Sequence, residues 1–185
     1  MCYNRYMKKF FIFGAIVIIT IGAIFYFTNQ GNFNLSCVTE TSEQIVRGQS
    51  LAGLIEEGQT VRLLKGFYNC NPLRRGDIVA YNYSGQSELI IKIARGLPGD
   101  TFNLAKNQRG NYNIIINSQA AKNSTGQTYE LPEGRQRMLE LYINDYQGVI
   151  PANAYLILGN QAEGSLDSIR FGLIGKEGIV GKIVQ

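Results

Sequence analysis

A lysine set inside an apolar run is the first residue in this chain that suggests chemistry. In Ile90-Ile91-Lys92-Ile93-Ala94-Arg95-Gly96-Leu97-Pro98-Gly99-Asp100 the run has strand character, and a tight turn closes it. Alternation puts Lys92 on one face with Ile90 and Ala94, and Ile91 and Ile93 on the other. An amine among apolar neighbours is desolvated, which disfavours its charged form. From a reference near ~10.4 its pKa can fall by several units, into the range of a general base. The alternative is a strand-edge lysine that keeps its head in water and discourages edge pairing. A candidate nucleophile stands in Gly48-Gln49-Ser50-Leu51. A serine hydroxyl attacks only when a base takes its proton, and a glycine such as Gly48 lets a substrate backbone approach closely.

Composition narrows the chemistry. The chain has no histidine and three cysteines, which removes Ser-His-Asp and Cys-His catalysis and any zinc site built on imidazole. Hydrolytic chemistry here needs another base, and no metal or organic cofactor is suggested. The 185 residues leave room for one compact domain. The net charge of +4 is mild, and eleven tyrosines and nine phenylalanines are spread along the chain instead of alternating with a basic stripe, so nucleic acid is not an expected partner.

The elements that must position these residues read as follows. Residues 1–9 are short and basic, with Arg5, Lys8 and Lys9 before an apolar run from Phe10 to Phe27. About 18 residues rise ~27 Å as a helix, close to the hydrocarbon thickness, and the positive charges hold the N-terminus in the cytoplasm. The run ends in Phe25-Tyr26-Phe27, interface aromatics where a cleaved signal would have small residues. Residues 10–28 are therefore expected to be a single uncleaved plasma-membrane anchor in contact with the lipid bilayer. Residues 29–41 would be a tether, and 42–185 an extracytoplasmic domain. Cys37 and Cys70 then face the oxidising side, where a disulfide between them is one reading and two free thiols the other. Asn34, Asn82 and Asn123 begin N-x-S/T sequons, which matter only in a glycosylating compartment.

Within 42–185, helix-period patterns are scarce, and short Val/Ile/Leu/Tyr runs alternate with Gly/Asn/Pro punctuation. The fold class is mostly β. Strands are predicted before the Gly48 turn, at Thr60 to Leu64, from Ile78 towards Tyr83, through Lys92, at Asn113 to Asn117 and at Tyr155 to Leu158. Ser50 would sit in a second apolar stretch, and Ser84-Gly85-Gln86-Ser87 would link two strands as a hairpin. Residues 103–150 read as a small variable excursion, with a mobile polar stretch from Ala120 to Arg137 that carries no chemistry. The loop from Gly159 to Gly172 gathers hydroxyls, carboxylates and a guanidinium in one place.

Taken in order, Gly48-Gln49-Ser50-Leu51, Arg75-Gly76-Asp77-Ile78-Val79, Lys92 with Gly96-Leu97-Pro98-Gly99-Asp100, and Gly159 with Ser165-Leu166-Asp167-Ser168 resemble the sequence boxes of the type I signal peptidases. With the N-terminal anchor and Gly175 to Lys182, the resemblance covers nearly the whole chain, and the lysine box is its most specific part. It implies a transmembrane helix followed by an antiparallel β-sheet catalytic domain, a serine endopeptidase that removes signal peptides from exported preproteins. It implies Ser50 as nucleophile and Lys92 as general base. It also implies that Ser165 orients the lysine amine and that the Ser50 backbone N–H contributes to an oxyanion hole. Gly48, Leu51 and Ile91 are the expected substrate-binding residues, with Leu51 as an apolar pocket wall.

The chain departs from that pattern in two boxes. Where the family usually has Ser-Met-x-Pro-Thr it has Ser50-Leu51-Ala52-Gly53-Leu54, a flexible glycine for a stiff proline. Asn160-Gln161-Ala162 replaces the usual Asp-Asn-Arg, and Ile169 replaces an arginine that pairs with the aspartate, so Arg170 is expected to pair with Asp167 instead. Two other readings stand beside the general peptidase. One is a specialised enzyme that matures one pilus or conjugation substrate, and the other is a non-catalytic, membrane-tethered β domain that binds extended peptides.

Overall fold

Strands form in this chain where β-branched and aromatic residues run between glycine turns, and they pair antiparallel into two sheets. The computed structural model describes residues 33–83 and 89–185. The expected anchor, the basic N-terminus and the Ser84-to-Ser87 link lie outside the described residues. No helix of the described residues is long and apolar enough to cross a membrane.

Residues 34–185 form one unit. Its strands are β1 (Glu40–Ile45), β2 (Thr60–Lys65), β3 (Ile78–Tyr81), β4 (Ile90–Gly96), β5 (Phe102–Lys106), β6 (Tyr112–Ile116), β7 (Gln119–Ala120), β8 (Glu130–Leu131), β9 (Ala154–Leu158), β10 (Ile174–Gly175) and β11 (Ile179–Val184). Seven of them make the larger sheet in the order β1-β2-β11-β3-β4-β9-β10, and β5 to β8 make the smaller one. The predicted alternation in β4 is present. Ile90 meets a cluster containing Val79, Tyr81 and Ile157, while Ile91 and Ile93 meet one containing Leu51, Ile55 and Ala80. Because β3 and β9 pair β4 on both sides, the Lys92 strand is internal, and the strand-edge reading of this lysine is wrong.

Carboxylates fix the turns that lead into these strands. Asp77, at the entry to β3, accepts from Lys182 of β11, from the Tyr68 hydroxyl at 3.1 Å and from the Arg74 N–H at 2.9 Å. Asp100, in the turn after β4, accepts from both sides of its carboxylate from Arg75 (2.8 and 2.7 Å) and from Asn117 at 2.7 Å. A single guanidinium nitrogen, Nη2, thus bridges both carboxylate oxygens in a charge-assisted contact. Gly96 closes β4 where a Cβ would stand 2.5 Å from Ile150 Cδ1 and 2.8 Å from Leu156 Cβ, so only glycine fits there.

One expectation is corrected, and two segments gain a structure the sequence reading left unspecified. The second half of the expected tether, 29–41, holds a 3-10 turn at Leu35–Cys37 and the start of β1 at Glu40. The apolar stretch after Ser50 is a helical turn, with the Ile55 N–H donating to the Leu51 carbonyl, because the chain must reverse between β1 and β2. The excursion is an ordered sheet with a helix, Arg137–Asp145, that was not predicted. Phe102, Ile114, Tyr129, Leu131, Leu139 and Ile150 pack it in one core with Leu156 and Leu158 of β9.

Cys37 and Cys70 are bonded, with Cα atoms 5.9 Å apart and a sequence separation of 33. A closed loop of that size restricts the unfolded chain by about 3–4 kcal/mol in the chain-entropy account. Replacing both cysteines with alanine should lower the thermal midpoint of the purified protein by several degrees. Melting of the variant beside wild type, each with and without reductant, checks this, and reductant should move only the wild type.

Candidate active site

The site begins with the turn that carries Ser50. After β1 the chain passes Gly48 at φ +74°, whose N–H donates to Glu57 Oε1 at 2.9 Å. Residues 49–55 then wind into a helical turn, and the Gly53 N–H donates to Glu56 Oε1 at 2.9 Å. Gly53 has φ +81°, a left-handed backbone that glycine adopts freely and proline cannot. The serine-box departure therefore has a structural cause, because this turn takes a path that the family's proline would forbid. Leu51, expected to wall a pocket, is 1% exposed and packs with Val46, Ile55, Val61, Leu63 and Ile93. It is a core residue that anchors the turn, which corrects its assignment as a substrate contact. Gly48 is exposed and Ile91 half-buried.

Lys92 is 5% exposed, and its Nζ lies 2.8 Å from Ser50 Oγ and 2.9 Å from the carbonyl oxygen of Ile91. Burial lowers its pKa to about 8, and the Asp167 carboxylate opposes that fall. A neutral amine in this position donates one hydrogen to the Ile91 carbonyl and turns its lone pair to the serine hydroxyl. The Ser50 N–H donates to no acceptor among the described residues.

Asp167 is completely buried where β9 runs into the short helix Ser168–Phe171, and its side chain caps that helix at the Ile169 N–H. Its carboxylate accepts from the Ser165 hydroxyl at 2.6 Å, the Gly159 N–H at 2.8 Å and the Ile169 N–H at 3.0 Å. Burial pushes this carboxyl up, against those donors and the field of Lys92. Ser165, expected to orient the lysine, gives its hydroxyl hydrogen to Asp167 and makes no hydrogen bond to Lys92. Arg170 is exposed and forms no ion pair with Asp167, so that expected pairing is corrected. Backbone N–H groups have taken the place a guanidinium would fill.

Sequence reasoning missed two contributors. The first is the excursion itself. The Tyr129 hydroxyl donates to the Gly159 carbonyl at 2.5 Å, and Asn123 Nδ2 donates to the Asn160 carbonyl at 2.9 Å. The second is Tyr81, wholly buried at the end of β3 with a hydroxyl that has no hydrogen-bond partner among the described residues, and burial keeps it neutral. Only the N-x-S-T turn at Asn123 offered a local signal, and it read as a sequon. Asn123 is 7% exposed and its amide is committed, which closes the folded chain to modification there.

A buried Ser-Lys pair on an antiparallel sheet defines a class of serine hydrolase that works without histidine. The sequence profile described as "Signal peptidase, peptidase S26" matches residues 5–185, and the chain belongs to that family. It is accordingly a serine endopeptidase of the signal peptidase I type. It is 28% identical over 149 residues to signal peptidase IB of Staphylococcus aureus strain COL, covering 75% of this chain and 73% of that protein. It is 26% identical over 153 residues to signal peptidase I of Leptolyngbya laminosa, covering 75% and 64% respectively. A solved signal peptidase I from Enterococcus faecalis V583 aligns with TM-score 0.37 and 19% identity, over 62% of this chain and 98% of that one.

The lowered pKa of Lys92 has a consequence for stability. Between the folded value of about 8 and the unfolded value of 10.5, the unfolded chain binds more protons, so stability rises with pH through that window. At pH 7 the full penalty is present, about 3 kcal/mol. Lys92→Met should therefore melt above wild type at pH 7, with the difference shrinking towards pH 10. Thermal scans of the detergent-solubilised chain at the two pH values check it, and an equal offset at both would contradict the assigned burial cost.

Proposed function

We propose that this protein removes N-terminal signal peptides from exported preproteins by means of a Ser50–Lys92 dyad, held at the membrane by residues 10–28 with its catalytic domain outside the cytoplasm. The observation that carries this reading is the 2.8 Å separation of Lys92 Nζ and Ser50 Oγ, with the amine buried and its pKa lowered to about 8. Membership of the signal peptidase family and the names of the relatives supply the substrate class.

In this reading an extended peptide pairs main chain to main chain beside the nucleophile turn. Roughly a tenth of Lys92 is neutral at pH 7 for a pKa near 8, and that form takes the Ser50 proton. Ser50 Oγ then attacks the scissile carbonyl, and the Ser50 N–H donates to the oxyanion. The ammonium formed on Lys92 is held by the Ile91 carbonyl and by the field of Asp167. It returns a proton to the leaving amine. Water, deprotonated by the same amine, then releases the acyl group from Ser50. Ser165 acts through Asp167, keeping the carboxylate in place below the lysine.

The test is cleavage of a reporter preprotein with an Ala-x-Ala site by the detergent-solubilised chain, with the product N-terminus mapped by mass spectrometry. Ser50→Ala and Lys92→Ala should each lose at least about a thousandfold in kcat/KM. Wild-type kcat/KM should climb as pH rises through about 8, because the base must be neutral. Substantial turnover by Ser50→Ala, or a rate that falls between pH 6 and 9, would sink the dyad. Processing of a single natural substrate but no generic reporter would instead favour the specialised enzyme.

A further inference from the structure

Asn160 lies one residue beyond the Gly159 carbonyl and is 2% exposed. All its polar groups are engaged. Its backbone N–H donates to the Ser50 carbonyl at 2.6 Å, and its Nδ2 donates to the Ala52 carbonyl at 2.9 Å. Its Oδ1 accepts from the Ser124 N–H at 2.9 Å, and its carbonyl accepts from Asn123 Nδ2 at 2.9 Å. One residue thus grips the nucleophile turn on both sides of Leu51 and ties it to the Asn123 turn of the smaller sheet. Gln161 adds a third hold, with Nε2 donating to the Gln49 carbonyl at 2.7 Å. On the far side, Thr125 Cγ2 and Asn160 Nδ2 stand 3.4 and 3.5 Å from where a Gly53 Cβ would be.

The turn needs such a hold. It carries no proline, it reverses at a left-handed glycine, and Ser50 must stay within hydrogen-bond reach of a lysine fixed on a central strand. Displacement of a reacting group by about 1 Å can cost a hundredfold in rate.

We propose that Asn160, braced by the Asn123 turn, is a positioning residue that keeps Ser50 Oγ in register with Lys92 Nζ, and that its side chain must donate to the Ala52 carbonyl to do so. The inference rests on the dyad reading above. It makes the smaller sheet part of the catalytic apparatus, acting through the serine.

Asn160→Asp is the discriminating variant. A neutral carboxylic acid can copy the amide, donating to the Ala52 carbonyl while accepting from the Ser124 N–H, whereas a carboxylate meets that carbonyl with an acceptor only. Burial raises the pKa of such an acid, and only its protonated form should support the turn. The charged or titratable groups on the elements around it are Lys92 on β4, Asp167 before the short helix, Tyr129 beside Gly159, Lys122 beside the Asn123 turn, Glu56 and Glu57 on the nucleophile turn, and Glu163 in its own loop. Lys92 gives the opposing signature. A carboxylate that merely raised the lysine pKa would produce a deficit that shrinks as pH rises, the reverse of a broken hold.

The experiment uses the full chain in detergent and two readouts across pH 6 to 9. These are kcat and KM on the reporter, and the rate at which a small alkyl phosphonofluoridate labels Ser50, with Ser50→Ala as the blank. In labelling, the Oγ–P bond forms, the P–F bond breaks and the serine proton passes to Lys92. Asn160→Ala should lose about 30- to 100-fold in kcat and in labelling at every pH, with KM within about twofold. The Asn160→Asp deficit should match it at pH 9 and shrink at least several-fold at pH 6. Either variant within about twofold of wild type, an Asn160→Asp deficit that is constant with pH or shrinks as pH rises, or losses that merely follow a lowered melting temperature would each overturn the proposal. A wild type that labels at Ser50 yet leaves the reporter intact would overturn the substrate reading alone, and the labelling rates would still decide the role of Asn160. A wild type that neither labels nor cleaves the reporter would overturn both, and one that cleaves without labelling leaves kcat across pH to decide the role of Asn160.

Discussion

The arrangement depends on keeping a lysine amine out of water without a carboxylate directly on it. Placing Lys92 on an internal strand, flanked by β3 and β9, removes its route to solvent. Among the described residues the amine then has two neighbours within hydrogen-bond distance, the Ile91 carbonyl and the Ser50 hydroxyl, and neither carries a formal charge. Desolvation wins over the pull of Asp167, and the pKa settles near 8. A direct ion pair would reverse that balance and leave the lysine protonated, a charge with no lone pair to offer. Residues 46–59 and 159–169 can be understood as what it takes to deliver a serine and hold a carboxylate at a distance around that amine.

Asp167 shows how the distance is kept. Its carboxylate is saturated by the Ser165 hydroxyl and by the N–H groups of Gly159 and Ile169. With the Ser165 N–H as a fourth donor at 3.3 Å, the carboxylate is fixed in place and has little reason to move towards the lysine. Gly159 is required for this geometry, because a Cβ there would stand 2.3 Å from Ser165 Oγ and 2.8 Å from the Ser50 carbonyl. Ser165, Asp167 and the nucleophile turn therefore converge on one glycine, and substitution at that point would displace all three.

What the sequence made legible was local. Alternation in β4 correctly separated Ile90 from Ile91 and Ile93, glycine punctuation marked the turns, and the spacing of the boxes led to Ser50, Lys92, Ser165 and Asp167. The edge-strand alternative for Lys92 could not be removed from sequence, since its pairing with β9 lies more than 60 residues away along the chain. Leu51 was misread because an apolar residue beside a nucleophile looks the same whether it faces a pocket or a core. Arg170 was assigned to Asp167 by charge, but the backbone at the start of a short helix satisfied the carboxylate first. The excursion looked dispensable because its contribution is made by amide side chains, Asn123 and Gln127 among them, whose polar composition resembles that of a mobile loop.

The same amides suggest why the last box differs from the usual pattern of its family. Asn160 and Gln161 hold the nucleophile turn through the Ser50, Ala52 and Gln49 carbonyls without adding a charge. Two unit charges ~8 Å apart at an effective dielectric constant of ~20 interact by about 2 kcal/mol, which is about 1.5 units in the pKa of a nearby amine. A second carboxylate in this wall would need its own cation to leave Lys92 unaffected, and the usual Asp-Asn-Arg pattern contains one. This chain has neither an acid at position 160 nor an arginine at position 162. Losing both together leaves the local charge near the lysine unchanged, while the amide still supplies a donor for the turn. The double departure is thus consistent with one electrostatic constraint, that Asp167 remain the one buried carboxylate acting on the base.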